Sequence, residues 1–350
     1  MSSAAPFDSV LVVSFGGPEK PEDVLPFLEN VARGRNVPRE RLLEVAEHYY
    51  HFGGKSPIND QSRALVAALV SELARHGMEL PVYWGNRHWH PLLADTLREM
   101  AAQSRRRALA FVTSAYSSFS GCRQYLLDIE AAWQEAGPRA PRVDKLRVFY
   151  NHPGFIEPMV DNTRAALMEI PEERRSAASV AFTAHSIPLA MARTSAYEAQ
   201  LREACRLVAE GLGLPAYTLV YQSRGGPPAQ PWLEPDILDY LRELRASSAV
   251  QDVVVVPIGF VSDHMEVLYD LDTEAGALCR ELGLTMHRAA TAGSDLRFVS
   301  MIRELIEERI ATERGENPLR RALGTLGPAP DVCPDDCCPP PSRTGRPGAG

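Results

Sequence analysis

Short apolar runs rich in valine, leucine and aromatic residues alternate along this chain with longer amphipathic stretches. Eight such runs stand out: Ser9–Phe15, Leu80–Gly85, Ala108–Ser114, Lys145–Asn151, Ser179–Ser186, Ala216–Ser223, Val253–Phe260 and Leu284–Ala290. Between most of them apolar positions recur at helical spacing, as in Pro57–His76, Leu92–Ser104, Glu157–Met168 and Tyr197–Gly211. Strands that are apolar throughout and separated by helices predict an α/β fold of parallel sheets covered on both faces. Eight strands over about 320 residues divide more naturally into two four-stranded units than into one sheet. The expectation is two Rossmann-like domains, residues 1–170 and 171–324, with a cleft between them. From residue 325 the composition shifts to Gly, Pro, Asp and Cys. This Cys/Pro-rich tail, 325–350, is expected to end in disorder.

Ligands of open α/β sheets gather at the C-terminal ends of the strands. The exits here read FGGP, NRHWH, SAYSSFSG, NHPGF, AHSIP, QSRGG and GFVSDHME. A polar, ring-bearing rim on apolar sheets suggests a cleft for a large flat ligand. His185 leaves the sheet on that rim, in FTAHSIP. An isolated strand-end histidine is most often satisfied by backbone, but neutral imidazole can also bind Fe(II) or accept a proton near neutral pH. After the run VVVVPIG, Ser262 can cap a helix in which Glu266, Asp270 and Glu274 stand four residues apart. Such spacing makes one acidic ridge about 12 Å long. Spaced acids usually form a solvated face, yet a helix starting at a strand exit points its end toward the cleft, where oxygen ligands can pass a dication inward. His264 is expected to project elsewhere. His88 and His90, with Trp89 between them, would share one face if the strand continued, and could receive a hydrated metal ion; the alternative is a pair of polar rim residues.

Composition narrows the classes. With 350 residues, 45% of them hydrophobic, the chain can build two cores. A net charge of −8 with no basic stripe argues against nucleic-acid binding. The start, MSSAAPFDSV, lacks a basic n-region and an apolar h-region, and no run approaches the roughly 18 apolar residues needed to span a bilayer. A cytoplasmic protein is expected, and no long apolar patch forces a dimer.

Six cysteines include a cluster of three, Cys333, Cys337 and Cys338. In a reducing compartment clustered thiols read as metal ligands before disulfides. An iron–sulfur cluster needs a fourth thiolate. Cys205 and Cys279 lie in amphipathic helices, where a small-hydrophobe role is the default, whereas Cys122 sits in a Gly/Ser loop open to a returning tail. Structural zinc and free thiols are the competing readings.

FTAHSIP and PIGFVSDHMEVLYDLD resemble the two signature segments of the ferrochelatases. The resemblance continues in Ser14–Leu28, His48–Asn59, Ser114–Tyr125 and Tyr221–Asp236, and covers about residues 7–320. It implies a chelatase-like fold that inserts Fe2+ into a porphyrin. His185 would be metal ligand and proton acceptor, and Glu266 the opposing carboxylate. Ser56 and Tyr125 match positions that contact the porphyrin and its propionates. Arg33, His48 and Tyr49 match segments lining the same pocket, and Trp232 matches a wall of the cleft. Phe15 stands where some bacterial relatives carry tyrosine, so an axial oxygen is not expected there, though the ring can pack on the macrocycle. Some actinobacterial members hold a [2Fe–2S] cluster on one internal and three C-terminal cysteines, which would make Cys122, Cys333, Cys337 and Cys338 its ligands. The resemblance favours coproporphyrin III as substrate. Protoporphyrin IX is the alternative within the class, and a non-catalytic tetrapyrrole or metal carrier the alternative outside it. Transient contact with neighbouring enzymes of haem synthesis is also implied.

Overall fold

Four parallel strands with the order β2-β1-β3-β4 form one sheet, and four more with the order β6-β5-β7-β8 form a second. The computed structural model describes residues 5–34, 37–226, 229–334 and 336–340; the expected disorder at the end of the tail lies outside them. The strands are β1 (Ser9–Ser14), β2 (Val82–Asn86), β3 (Arg107–Val112), β4 (Arg142–Lys145), β5 (Ser179–His185), β6 (Thr218–Gln222), β7 (Asp252–Val256) and β8 (Thr285–Arg288). All neighbouring strands pair in parallel. The central strands β1 and β7 are buried at every position, as apolar runs covered on both faces must be. Helices form where the spacing predicts them, at Ile58–Arg75, Leu93–Ala102, Pro153–Met168 and Tyr197–Leu212.

One expected strand is displaced. The run Lys145–Asn151 contributes only its first residue to β4, which lies instead at Arg142–Lys145. Leu146, Val148, Phe149 and Tyr150 are buried, but as a loop wedged under the sheet. There Phe149 stacks on Phe111 at 5.2 Å and meets the edge of Phe298 at 5.7 Å. The run is buried between β3, through Phe111, and the helix bearing Phe298, without joining the strand ladder beyond Lys145, which periodicity cannot distinguish.

Phe298 belongs to helix Leu296–Glu313, which follows the second sheet yet packs on Ile58–Arg75 of the first half and on Pro153–Met168. A single apolar cluster therefore contains Val10 and Phe111 of the first sheet together with Phe182 and Val254 of the second. Arg147 and Glu308 form a buried ion pair at 2.7 Å beneath it. Arg147 also donates to the Arg321 carbonyl, and Asn151 donates to those of Leu323 and Gly327, which fastens the segment after the helix across the first half. Three further bonds join the halves near the cleft. Tyr116 Oη donates to the Ile258 carbonyl (2.8 Å), Gln61 Nε2 to the Asp263 carbonyl (2.9 Å), and the Ser117 amide to Gln200 Oε1 (2.7 Å).

His152 caps helix Pro153–Met168, its Nδ1 accepting from the Gly154 amide at 3.1 Å. Its ring is almost wholly buried, and burial, reinforced by Arg147 and Arg321, pushes its pKa down to about 3. Folding thus holds His152 neutral. The resulting stability is complete above the ordinary histidine pKa of about 6.5 and is lost as pH falls through that value toward 3. His152→Asn, which keeps a capping acceptor but does not titrate, should flatten the fall in urea midpoint between pH 6.5 and 4 compared with the parent chain. An unchanged slope would remove His152 from the acid-sensitive groups.

Candidate active site

β5 sits inside the second sheet, flanked by β6 and β7, so its last residue, His185, emerges at the middle of the strand exits. Its backbone is held on two sides. Tyr197 Oη donates to the His185 carbonyl at 2.9 Å, and the Gly259 amide donates to Thr183 O at 3.0 Å. Gly259 has no room for a side chain, because a Cβ there would lie 2.6 Å from the Cα of Ala184. The imidazole Nδ1 faces the Ser186 carbonyl. A proton on Nδ1 leaves the Nε2 lone pair directed outward, and Nε2 lies 3.6 Å from Glu266 Oε1. Both side chains keep access to solvent, at 42% and 31% exposure.

Glu266 lies in the first turn of the helical segment after β7, which starts at Met265. Its cap is His264, whose Nδ1 accepts from the Val267 amide at 3.4 Å, and not Ser262 as expected. Serine at 262 is two residues too early, because the chain bends at Val261–Ser262 before the helix starts. From Leu268 to Ala275 the helix is of the π type. Such widened turns are rare and concentrate at functional sites. Asp270 and Glu274 fall within it, so the four-residue spacing holds while the helix type departs from the expected α form.

Glu266 and Asp270 share one partner. Ser223 Oγ contacts Glu266 Oε1 at 2.6 Å and also Asp270 Oδ2. Gln222 Nε2 reaches Asp270 Oδ2 at 3.3 Å. Ser223 occupies the left-handed region (φ 62°), unusual for a residue with a side chain. Burial, then the charge of Glu266, raise the Asp270 pKa to about 7 against the pull of the Ser223 and Gln222 bonds. Glu274 is also raised, by burial and by Asp236.

The first half closes the other side. His48 stacks on Tyr269 with ring centres 3.7 Å apart and planes within 8°, which brings helix Arg39–His51 onto the π-turn. Tyr49, beside it, has its phenol pKa raised by burial and by the Glu266 charge. Phe15, Tyr49 and Trp89 gather around Phe27, at 6.3, 5.7 and 6.2 Å. His88 lies against Phe15 at 4.5 Å, whereas His90 is exposed and packs on Trp89. The two histidines follow β2 in an irregular bend, so they do not form the one-faced strand pair that their spacing suggested. Tyr125 is buried under the Arg87 guanidinium, 4.3 Å above its ring, and Arg87 pairs with Asp128 at 2.5 Å. Ser56 is buried too, its amide donating to Pro18 O, which fixes the Gly-Gly-Pro loop after β1. Arg33 ends helix Val24–Ala32 in an exposed position, bonded to Asn30. Trp232 lies against Gly225–Gly226, on the segment that bridges to Pro188 beside the His185 exit.

The cysteines separate as the sequence suggested. Cys205 and Cys279 are buried within the core clusters. Cys122 lies in a π-turn, Phe119–Arg123, where Cys333, then burial, hold its thiol pKa up. Cys337 and Cys338 sulfurs are 3.6 Å apart, close to the roughly 3.8 Å between two thiolates on one tetrahedral ion with bonds of about 2.3 Å. Among the described residues, no three His, Cys, Asp or Glu side chains close around a single point as a mononuclear metal centre.

Ser223, Gln222, Tyr269 and Tyr197 were not singled out in the sequence. Ser223 alone carried a signal, being the polar residue directly after a strand.

A base and an acidic ladder facing each other at the exits of neighbouring strands of one parallel sheet define a metal-handling enzyme of α/β class. The chain belongs to the ferrochelatase family, whose description matches residues 8–310. It is 56% identical over 352 residues to a ferrochelatase of Rhodopirellula baltica, covering 99% of each chain. It is 54% identical over 365 residues to a coproporphyrin III ferrochelatase of Streptomyces coelicolor, covering 99% of this chain and 96% of that one. Among solved structures, SirB from Bacillus subtilis with Fe3+ overlaps with a TM-score of 0.48 at 10% identity, over 88% of this chain and 97% of that one.

Ser223→Ala should uncouple the two carboxylates and weaken Co2+ binding about 10- to 100-fold, the usual effect of losing a residue that orients a ligand. Isothermal titration of the metal alone checks this, and an unchanged affinity would make Ser223 a strand-end residue only.

Proposed function

We propose that this chain is a cytoplasmic coproporphyrin III ferrochelatase, inserting Fe2+ to give iron-coproporphyrin III. The observation that carries the reading is His185 Nε2 opposed to Glu266 at 3.6 Å on the cleft rim. Insertion must remove two pyrrole protons as the ion enters, with no net redox change. His185 Nε2 accepts a pyrrole proton and passes it toward the carboxylates, where Asp270, titrating near 7, can take and release it around neutral pH. Glu274, Asp270 and Glu266 hand the ion inward, exchanging its water for carboxylate oxygens. His88, beside Phe15, offers an outer contact for arriving iron. Phe15, Tyr49 and Trp89 on one side and Trp232 on the other grip the macrocycle, and Tyr125, Ser56 and Arg33 belong to the porphyrin side of the cleft. The Streptomyces coelicolor relative supports the four-propionate substrate. A non-catalytic carrier would need no base opposite an acidic ladder. Among the described residues no helix is long and apolar enough to cross a membrane.

Cys122, Cys333, Cys337 and Cys338 are read as ligands of a [2Fe–2S] cluster, because four neighbouring thiols supply its full donor set. Bound there, the cluster supplies a one-electron centre apart from the chelation chemistry.

His185→Ala should abolish iron insertion while porphyrin binding, followed by fluorescence quenching, survives; insertion at near parental rate would overturn the mechanism. Initial rates with coproporphyrin III and protoporphyrin IX side by side should favour the former, and the reverse preference would reassign the substrate. Anaerobically purified protein should be reddish-brown with stoichiometric sulfide, and Cys122→Ser should bleach it; colourless parental protein would remove the cluster.

A further inference from the structure

Five carboxylates crowd the stretch after β7: Asp263, Glu266, Asp270, Asp272 and Glu274. Residues two apart on a helix do not share a face, so Asp272 lies off the ladder that Glu266, Asp270 and Glu274 form. The cations divide the five in the same way. Arg288, the last residue of β8, donates from Nη1 to Asp263 Oδ1 at 2.8 Å and pairs through Nε with Asp272 Oδ1 at 2.5 Å. Among the described residues, no lysine or arginine pairs with Glu266, Asp270 or Glu274. One guanidinium therefore grips the acidic segment at two points, just before its helix begins and within the π-turn. The grip has a firm base. Arg288 stands opposite Val255 of the buried strand β7, and its Nη1 also donates to the Ala289 carbonyl at 3.2 Å. Gln61 of the first half holds the Asp263 carbonyl from the other side at 2.9 Å. At 19% exposure the guanidinium is screened little by solvent. Its planar fork suits two carboxylates at fixed directions better than an ammonium would.

We propose that Arg288 is a positioning residue for metal handling: by bridging Asp263 and Asp272 it locks the acidic turn so that Glu266, Asp270 and Glu274 face the incoming ion together. The inference rests on the insertion reading given above. Without the bridge the turn can rotate, and Asp263 and Asp272 become free carboxylates that hold a dication away from His185. Charge alone predicts the opposite, because removing a cation beside an acidic site should tighten its hold on a dication. The sign of the change therefore separates positioning from simple electrostatics.

The experiment uses the full-length parental chain, Arg288→Met, Asp272→Asn and the double variant. Each is titrated calorimetrically with Co2+ alone, and initial insertion rates are measured with Fe2+ and coproporphyrin III varied in turn. Arg288→Met should weaken Co2+ binding about tenfold, as loss of a residue that orients ligands does, and raise KM for iron while KM for the porphyrin stays at the parental value. Asp272→Asn, which removes one arm of the bridge at a half-exposed helix position, should change both in the same direction by less. The double variant should match Arg288→Met, because the two residues act through one contact. Tighter Co2+ binding by Arg288→Met, or an equal rise in KM for both substrates, overturns the proposal. If Arg288→Met does not fold, Asp272→Asn decides alone: parental Co2+ affinity and parental KM for iron overturn it. A parental chain that binds Co2+ but inserts no metal overturns the insertion reading instead, and the Co2+ affinities still decide the role of Arg288.

Discussion

Two carboxylates held against one another in a partly buried cleft repel, and each loses water that would stabilise its charge. Glu266 and Asp270 are brought together because Ser223 reaches both, and burial, then the charge of Glu266, push the Asp270 pKa up to about 7. Much of the surrounding structure serves that contact. β6 must end at Gln222 so that Ser223 turns into the left-handed region. The helix after β7 widens into a π-turn, and His185 faces the pair from β5. Removing any of these elements would leave an acidic surface with no reason to draw an ion inward.

The fold was largely legible because apolar runs of strand length separated by helical periods admit few arrangements. His185 and Glu266 were legible because both follow strands whose ends line a cleft, and the ferrochelatase motifs then gave them a macrocycle. Other features depended on geometry that spacing does not carry. Leu146–Tyr150 is as apolar as a strand, but it packs between β3 and a helix distant in sequence. A residue spacing of four fits both α and π turns, so the widened helix was invisible. The stacking of His48 on Tyr269 joins residues more than two hundred positions apart. His88 and His90 lost their shared face when the chain bent after β2. Ser56 and Tyr125 are buried, which a motif match does not foretell.

The cleft also depends on elements joining its two halves. Tyr116, Gln61 and Gln200 join opposite halves close to the strand exits. These bonds end on backbone groups flanking the catalytic segments, so they hold the rims at a set separation without occupying the space between them. Aromatic walls from the first half and the acidic turn of the second can then face each other as fixed surfaces. A large planar substrate is gripped more selectively by rigid walls than by mobile ones, since less ordering is needed on binding.

Helix Leu296–Glu313 gives the molecule a particular history. Its Phe298 completes an aromatic group with Phe111, Phe149 and Phe155, all made far earlier on the ribosome. The first sheet therefore emerges with part of its core missing and must wait, its apolar underside uncovered, while the second sheet is synthesised. Contacts of such long sequence separation form slowly and leave intermediates prone to aggregation. The chain is sealed from its far end: the helix that finishes the first half arrives after the second, and the tail bearing Cys333, Cys337 and Cys338 follows it onto a scaffold already assembled.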